Sequence, residues 1–299
     1  MTSSIIICTY NRAAMLKKAL ISVTEQTIKP EDFEVIIVDD ASLDETSHIC
    51  NSFKELLPNL IYLHTGKNIG LGRARRLGIE TAKGSYILFT DDDCIVSQNW
   101  VERFNYYLKD KPVVSGSVHS PCLDYITLSL NIAEFHAYMG NNSGYKDFIA
   151  GANMGFQREV LRELEDFKNI STGRHSDDLD LILQAREKNY HPYFASDVTV
   201  YHYPPRRNLL SSMKHFTARG RTSILLRNKY AGLLNTPFIL KSSLLILPAS
   251  PVIALKVTAG IYLQREFWKY ICNAPLVYLY KLAWCYGAFL ELKKGERKL

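Results

Sequence analysis

Three consecutive carboxylates, Asp91-Asp92-Asp93, follow directly on the apolar run Tyr86-Ile87-Leu88-Phe89. Adjacent carboxylates repel one another, and burial raises their pKa values unless a cation neutralises them. At a strand end they are the hard oxygen ligands that Mg2+ or Mn2+ prefers, and such an ion would bridge to substrate phosphates. Asp39-Asp40 repeats the arrangement after Val35-Ile36-Ile37-Val38. A carboxylate there can accept from a nucleobase N–H or a ribose hydroxyl, or cap the helix that follows. Asn68-Ile69-Gly70-Leu71-Gly72 opens a helix bearing Arg73, Arg75 and Arg76. Glycines allow close backbone approach, and a helix N-terminus with arginine favours phosphate. Ser176-Asp177-Asp178 precedes a predicted helix over 179–188. Acids in a first turn suit the helix dipole, yet a carboxylate near a second acidic cluster and a metal can serve as a general base.

These groups need elements that bring them together. Apolar runs over 4–8, 34–38, 60–63 and 85–90 read as buried strands, separated by helical patterns over 13–26, 44–57 and 71–83. Strands alternating with helices imply βαβ units, hence an α/β fold with a mostly parallel, Rossmann-like sheet flanked by helices. In such sheets ligands bind beyond the carboxyl ends of the strands, where the acidic clusters lie. The GxGxxG dinucleotide fingerprint and the GxxxxGK[ST] phosphate loop are both absent from the sequence.

The chain has 299 residues and a net charge of +6, but the charge is divided. Residues 1–197 carry −7 and residues 198–299 carry +13, with no acidic residue between Asp197 and Glu266. The basic part, opening at Pro204-Pro205-Arg206-Arg207, should meet something anionic. Its longest charge-free run, 242–255, has 14 residues. A spanning helix wants about 20, so a peripheral or re-entrant association is expected. The expected organisation is a catalytic domain over 1–203 and a basic, apolar, helical, membrane-associating region over 204–299. The N-terminus lacks the features of a secretory signal, and six cysteines without CxxC spacing read as reduced thiols. The expected location is the cytoplasm, at the inner face of the cell membrane.

The set as a whole resembles the family 2 glycosyltransferases. The matching pieces are Ser4-Ile-Ile-Ile-Cys-Thr-Tyr-Asn-Arg12, Val38-Asp-Asp-Ala-Ser42, Asn68-Ile-Gly-Leu-Gly-Arg-Ala-Arg75, Phe89-Thr-Asp-Asp-Asp93, Gly151-Ala-Asn-Met-Gly-Phe-Gln-Arg158, Ser176-Asp-Asp-Leu-Asp-Leu181 and Val200-Tyr-His202. The resemblance covers residues 4–202 and implies a GT-A fold and inverting transfer of a sugar from a nucleotide-diphosphate sugar to an acceptor hydroxyl. It also implies residue roles. Thr9, Tyr10 and Asp40 would surround the nucleotide base, with Asp39 beside them. Asn11, Arg12, Asn68, Gly70, Asp91 and Asp92 would complete the nucleotide-sugar site, with Arg73 or Arg75 near the base or diphosphate. Asp91, Asp93 and His202 would hold Mn2+ or Mg2+, Gly151, Ala152, Asn153 and Asp177 would border donor sugar and acceptor, and Asp178 would be the base. The acceptor class implied is a glycan or lipid-linked molecule of cell-surface polysaccharide, lipopolysaccharide or glycolipid synthesis, next to an anionic membrane surface. A sugar-nucleotide-forming nucleotidyltransferase is the alternative, disfavoured because no N-terminal glycine-rich loop with Arg and Lys is present to grip a triphosphate. A nucleic-acid-binding role for the basic half fits its aromatic-rich apolar runs less well than lipid does.

Overall fold

The structure is a computed structural model that describes residues 1–121, 124–140, 142–164, 177–206 and 208–296. In chain order its elements begin with β1 (Ser3–Thr9), α1 (Ala13–Thr24), β2 (Phe33–Asp39), α2 (Thr46–Ser52), β3 (Leu60–His64) and α3 (Leu71–Thr81). They continue with β4 (Tyr86–Asp91), β5 (Cys94–Val96), α4 (Trp100–Leu108), β6 (Val113–His119), α5 (Tyr125–Phe135), β7 (Gly144–Tyr145) and β8 (Asn153–Gln157). The last are α6 (Arg158–Glu163), α7 (Asp177–Glu187), β9 (Tyr193–His202), α8 (Leu209–Lys229), α9 (Ser243–Tyr262) and α10 (Ala274–Glu296).

Two compact units result: Met1–Pro121 with Tyr138–Tyr203, and Cys122–Ala137 with Pro204–Leu299. Sequence order alone would leave 122–137 in the first unit, but α5 packs with the C-terminal helices. The first unit is one sheet in the order β3-β2-β1-β4-β8-β6-β9-β5, with β7 paired to β9. Strands β3, β2, β1 and β4 run parallel, while β8 is antiparallel to both β4 and β6, and β5 to β9. The central runs read as strands are buried on both faces, as parallel strands covered by helices must be: every residue of β2 is buried, whereas the edge strand β3 is mostly half-buried. Ile6, Ile36, Phe89, Met154 and Phe156 form a core with Ala74 of α3 and Ile182 of α7.

One helix is shorter than its pattern suggests. The reading over 44–57 contracts to α2 because the Asp44 carboxylate accepts from the Thr46 N–H at 3.2 Å and the Ala13 N–H at 2.9 Å. A residue so engaged stays outside the helix and starts it.

The second unit is helical throughout, and α9, with 20 residues, outruns the charge-free stretch by continuing through Lys256. Helices α8 and α10 cross backbone to backbone: a Cβ on Gly220 would lie 2.0 Å from the Trp284 carbonyl oxygen, and one on Gly287 1.9 Å from that of Thr217. Beside this crossing lies a buried polar network. Glu134 of α5 pairs with His215 Nε2 at 3.0 Å and accepts from Arg219 at 2.8 Å. Lys281 donates to the Ala133 carbonyl at 2.6 Å, and Asn273 to Ser129 Oγ at 2.8 Å. The stem of Lys281 is partly exposed, but its ammonium is buried. Burial, helped by Arg219 and opposed by Glu134, pulls its pKa down to about 8.

The unfolded chain, with an ordinary lysine near pKa ~10.4, binds more protons than the folded one between that value and about 8, so the stability contributed through Lys281 rises with pH across this window. Measured by denaturant titration against Lys281→Met, the wild type should gain up to roughly 3 kcal/mol across that window. A difference independent of pH would remove Lys281 from the buried charges.

Candidate active site

Strand pairing builds the site. Because β1 lies between β2 and β4 in parallel register, Cys8 pairs with Asp91 and Thr9 with Asp39. The carboxyl ends of three strands therefore meet at one edge. Of the three adjacent aspartates, Asp91 turns toward Arg75, while Asp92 and Asp93 both approach Arg12.

Asp91 accepts from Arg75 of α3 at 3.0 Å and keeps a third of its side chain exposed. Asp92 turns into the protein, where Thr9 Oγ1 donates to it at 2.7 Å and Arg12 at 2.8 Å. It is 2% exposed, and burial, against the opposing Arg12 charge and with help from Asp93, pushes its pKa up to about 7. Asp93 lies 3.6 Å from Arg12 on one side and 3.6 Å from His202 Nε2 on the other. The β5–β9 ladder sets this last contact: Cys94 pairs with His202, and the Tyr203 N–H donates to the Asp93 carbonyl at 2.8 Å. Besides the metal expected from the sequence, the chain itself brings Arg12 and Arg75 to these carboxylates. Asp92, expected at the nucleotide-sugar, is an internal anchor that ties β4 to Thr9 and Arg12.

For a divalent ion the fitting donors are Asp93 and His202, one hard oxygen and one imidazole held side by side. Asp91, expected as a third ligand, is turned to Arg75, and among the described residues no three His, Cys, Asp or Glu side chains converge. Two protein ligands with the remaining positions left to substrate oxygens suit Mg2+ or Mn2+, which keep few protein ligands at phosphate sites.

The Asp39-Asp40 pair shapes the loops around this edge. Asp39 is 1% exposed; it accepts from the Ser42 N–H at 2.8 Å and the Tyr62 hydroxyl at 2.6 Å. Asp40 accepts from the N–H groups of Ile69 and Gly70 at 2.6 and 2.9 Å, clamping the loop that starts α3. Gly70 has φ +86, a conformation glycine adopts without strain, and Asn68 donates to the Asp40 carbonyl at 3.3 Å. Asn11, at φ 52, joins the first two strand-end loops: its N–H donates to Ser42 Oγ, and its Oδ1 accepts from the Leu43 N–H. Tyr10 and Arg73 are exposed beside these loops, while Thr9 is buried by its bond to Asp92.

Antiparallel pairing of β4 with β8 places Thr90 opposite Asn153, so Gly151 and Ala152 continue past the strand end beside Asp91. A Cβ on Gly151 would lie 2.1 Å from Asp178 Oδ2, so only glycine allows that carboxylate to pack against the loop. Asp178 sits in the first turn of α7, where the helix dipole favours a negative charge. Ser176 and the side chain of Asp177 lie outside the described residues, as do Arg207 and Cys122 of the other readings.

Asn153, expected at the sugar, is fully buried and belongs to the scaffold. It donates to the carbonyls of Ser117 and Val198 at 2.8 and 2.9 Å and accepts from Trp100 Nε1 at 2.8 Å. Sequence reasoning did not single out Asp44, Tyr62 or Trp100, which support the site from behind. Only Asp44, just ahead of a helix, carried a local signal.

The family model for glycosyl transferase family 2 matches residues 4–165, more than half of the chain. Glycosyltransferase AglE of Haloferax volcanii is 30% identical over 200 residues, covering 65% of this chain and 64% of AglE. The minor teichoic acid biosynthesis protein GgaB of Bacillus subtilis is 25% identical over 227 residues, which are 71% of this chain and 24% of GgaB. The chain thus spans less than two thirds of either relative's length. Among solved structures, the mannosyltransferase PcManGT of Pyrobaculum calidifontis, in complex with GDP-Man and Mn2+, superposes with a TM-score of 0.63 at 18% identity. That likeness covers 93% of this chain and 85% of that one, and it concerns the fold.

If Asn153 is scaffold, Asn153→Leu removes three side-chain hydrogen bonds and leaves buried carbonyls unsatisfied. It should lower the unfolding free energy by about 3 kcal/mol or more in chemical denaturation. A stable variant would return Asn153 to the list of ligand-contacting residues.

Proposed function

The chain belongs to glycosyl transferase family 2, and on that premise we propose that it moves a sugar, with inversion, from a nucleotide-diphosphate sugar to an acceptor hydroxyl, using Asp178 as base. It is a glycosyltransferase of the α/β GT-A type, and family membership supports transfer over the nucleotidyltransferase reading. The observation that carries the proposed mechanism is the seating of Asp178 against Gly151. That seat is in the loop just before β8, the strand paired with β4, so base and leaving-group machinery share one edge.

In this reading Asp178 takes the proton of the acceptor hydroxyl as its oxygen attacks the anomeric carbon of the donor. The bond from that carbon to the diphosphate oxygen breaks, the nucleoside diphosphate departs with the electron pair, and the configuration at the carbon inverts. Asp93 and His202 would hold Mn2+ or Mg2+, which would offset the charge growing on the diphosphate. Tyr10, with the loops clamped by Asp39 and Asp40, frames the base. Arg73 and Arg75 supply positive charge for the diphosphate, and Gly151 and Ala152 border the sugar.

The acceptor is read as a glycan or lipid-linked molecule of the cell envelope, in keeping with the teichoic acid role in the name of GgaB. The enzyme would work on the cytoplasmic side, with its 204–299 region facing an anionic membrane. A lipid surface attracts each nearby basic residue by about 1 kcal/mol, and the region carries a large excess of them.

Three variants test the assignment. Asp178→Asn should lower turnover by roughly 10²–10⁴-fold, the usual worth of general-base assistance, with donor affinity little changed. Asp93→Ala, or removal of divalent ions with EDTA, should abolish transfer and the metal-dependent part of the thermal shift given by the correct sugar nucleotide. Gly151→Ala should displace the Asp178 carboxylate and lower turnover while leaving donor binding intact. Full turnover by Asp178→Asn would overturn the choice of base.

A further inference from the structure

Helix α9 is built inside out. Its inward stripe, Ser243, Ile246, Ser250, Ala254, Thr258 and Ile261, recurs at helical spacing but is made largely of small and hydroxyl-bearing residues. Ser250 Oγ turns back to the Ile246 carbonyl at 2.7 Å, and the Ser243 N–H donates to Glu296 of α10 at 2.9 Å. The outward face is the apolar one: Leu244 is 82% exposed, Val252 69% and Leu255 62%. A helix packed against a protein core in water shows the opposite polarity. Among the described residues α9 is the one helix long and apolar enough to cross a membrane, with a mean hydropathy of 1.9 over 18 residues, of which only 28% is buried.

The occupant of that face follows from charge. Lys256 lies on the outward surface, Lys241 precedes the helix, and Arg265 and Lys269 follow it, all exposed. The nearest acidic residues in sequence are Asp197 and Glu266. A second copy of this chain applied face to face would bring Lys256 near Lys256 with no carboxylate on α9 itself to offset it, and exposed Glu266 beyond the helix end is already flanked by Arg265 and Lys269. An anionic headgroup layer supplies the missing charge. Exposed Phe238 and Trp268 flank the two ends of the helix, the residue types that settle at a membrane interface.

Length alone would permit crossing, since 20 residues rise about 30 Å. The neighbours decide otherwise. Helix α9 packs on α10, which packs in turn on α8, whose Lys214, Arg221 and Lys229 are exposed. A crossing α9 would draw this charged helix and the buried Lys281 network toward hydrocarbon. A helix lying in the plane lets Lys256 reach headgroups from the side. We propose that α9 lies in the headgroup–acyl boundary of an anionic bilayer, with Leu244, Val252 and Leu255 inserted, and holds the enzyme to one leaflet without crossing it. This rests on the reading of the 204–299 region as membrane-facing, and specifies the element and its depth.

The test uses the full chain and vesicles of phosphatidylcholine with phosphatidylglycerol. Flotation is compared for the wild type and for the triple variant Leu244→Glu, Val252→Glu and Leu255→Glu, with the thermal shift by sugar nucleotide as the control for folding. Vesicle affinity should fall about tenfold or more in the triple variant, with the thermal shift kept. A fluorophore at Val252→Cys in a Cys272→Ser background should be quenched more by a spin label near the headgroup than by one at the acyl end. Stronger quenching from the acyl end would mean that α9 crosses and would overturn the in-plane seat. Wild-type flotation by the triple variant, abolished by salt, would leave the membrane-facing reading standing on basic residues and overturn the role of α9. No flotation of the wild type would overturn both, and if the wild type then dimerises and the triple variant does not, the occupant is a second copy.

Discussion

Three carboxylates in a row at the end of a buried strand need partners to offset their repulsion and burial, and much of the catalytic unit's architecture answers that demand. Arg75 comes from α3, Arg12 from the loop after β1, and His202 from the far end of β9. None is near the acidic run in sequence. Each can arrive only if the strands pair in the observed order, so the charge balance at this edge and the sheet topology require one another. Asp92, the most deeply buried of the three, binds Thr9 and Arg12 and so fixes β4 to the loop after β1. Of its neighbours, Asp91 stays partly exposed beside Arg75 and Asp93 is buried beside His202, so adjacent residues of one short motif have different surroundings.

The same economy governs the loops around it. Asp39 and Asp40 follow one strand, yet one carboxylate closes its own turn while the other holds the loop that starts α3. Gly151 contributes through what it lacks: the absence of a Cβ is what lets Asp178 pack beside the strand end.

The helical unit solves the inverse problem. Its interior carries Glu134, His215 and the Lys281 ammonium, held by hydrogen bonds around the close crossing of α8 and α10, while α9 presents leucine and valine outward. Polar groups inside and apolar ones outside are consistent if the surrounding medium along that face is lipid. The excess of positive charge in residues 198–299 gives the same direction by an independent route.

Local pattern settled a good deal by itself. Apolar runs of strand length, helical spacing between them and acidic residues just past the strand ends are short-range features, and they sufficed for the α/β class and for expecting the site beyond the strand ends; the family came from the resemblance of seven short motifs in order. The order of strands in the second half of the sheet, with β8 inserted between β4 and β6, depends on pairing between distant segments and leaves no local trace. For the same reason local pattern alone does not tell anchor from ligand: in Asp91-Asp92-Asp93 the difference lies in Arg75, Arg12 and His202, which other segments bring in. Asn153, adjacent in sequence to Gly151 and Ala152, becomes scaffold because Trp100 and the carbonyls of Ser117 and Val198 surround it. Sequence determined which chemical groups this protein owns and roughly where each strand ends. Tertiary structure decided what each group does, because a carboxylate or an amide acquires its role from the charges and hydrogen bonds that distant segments bring to it.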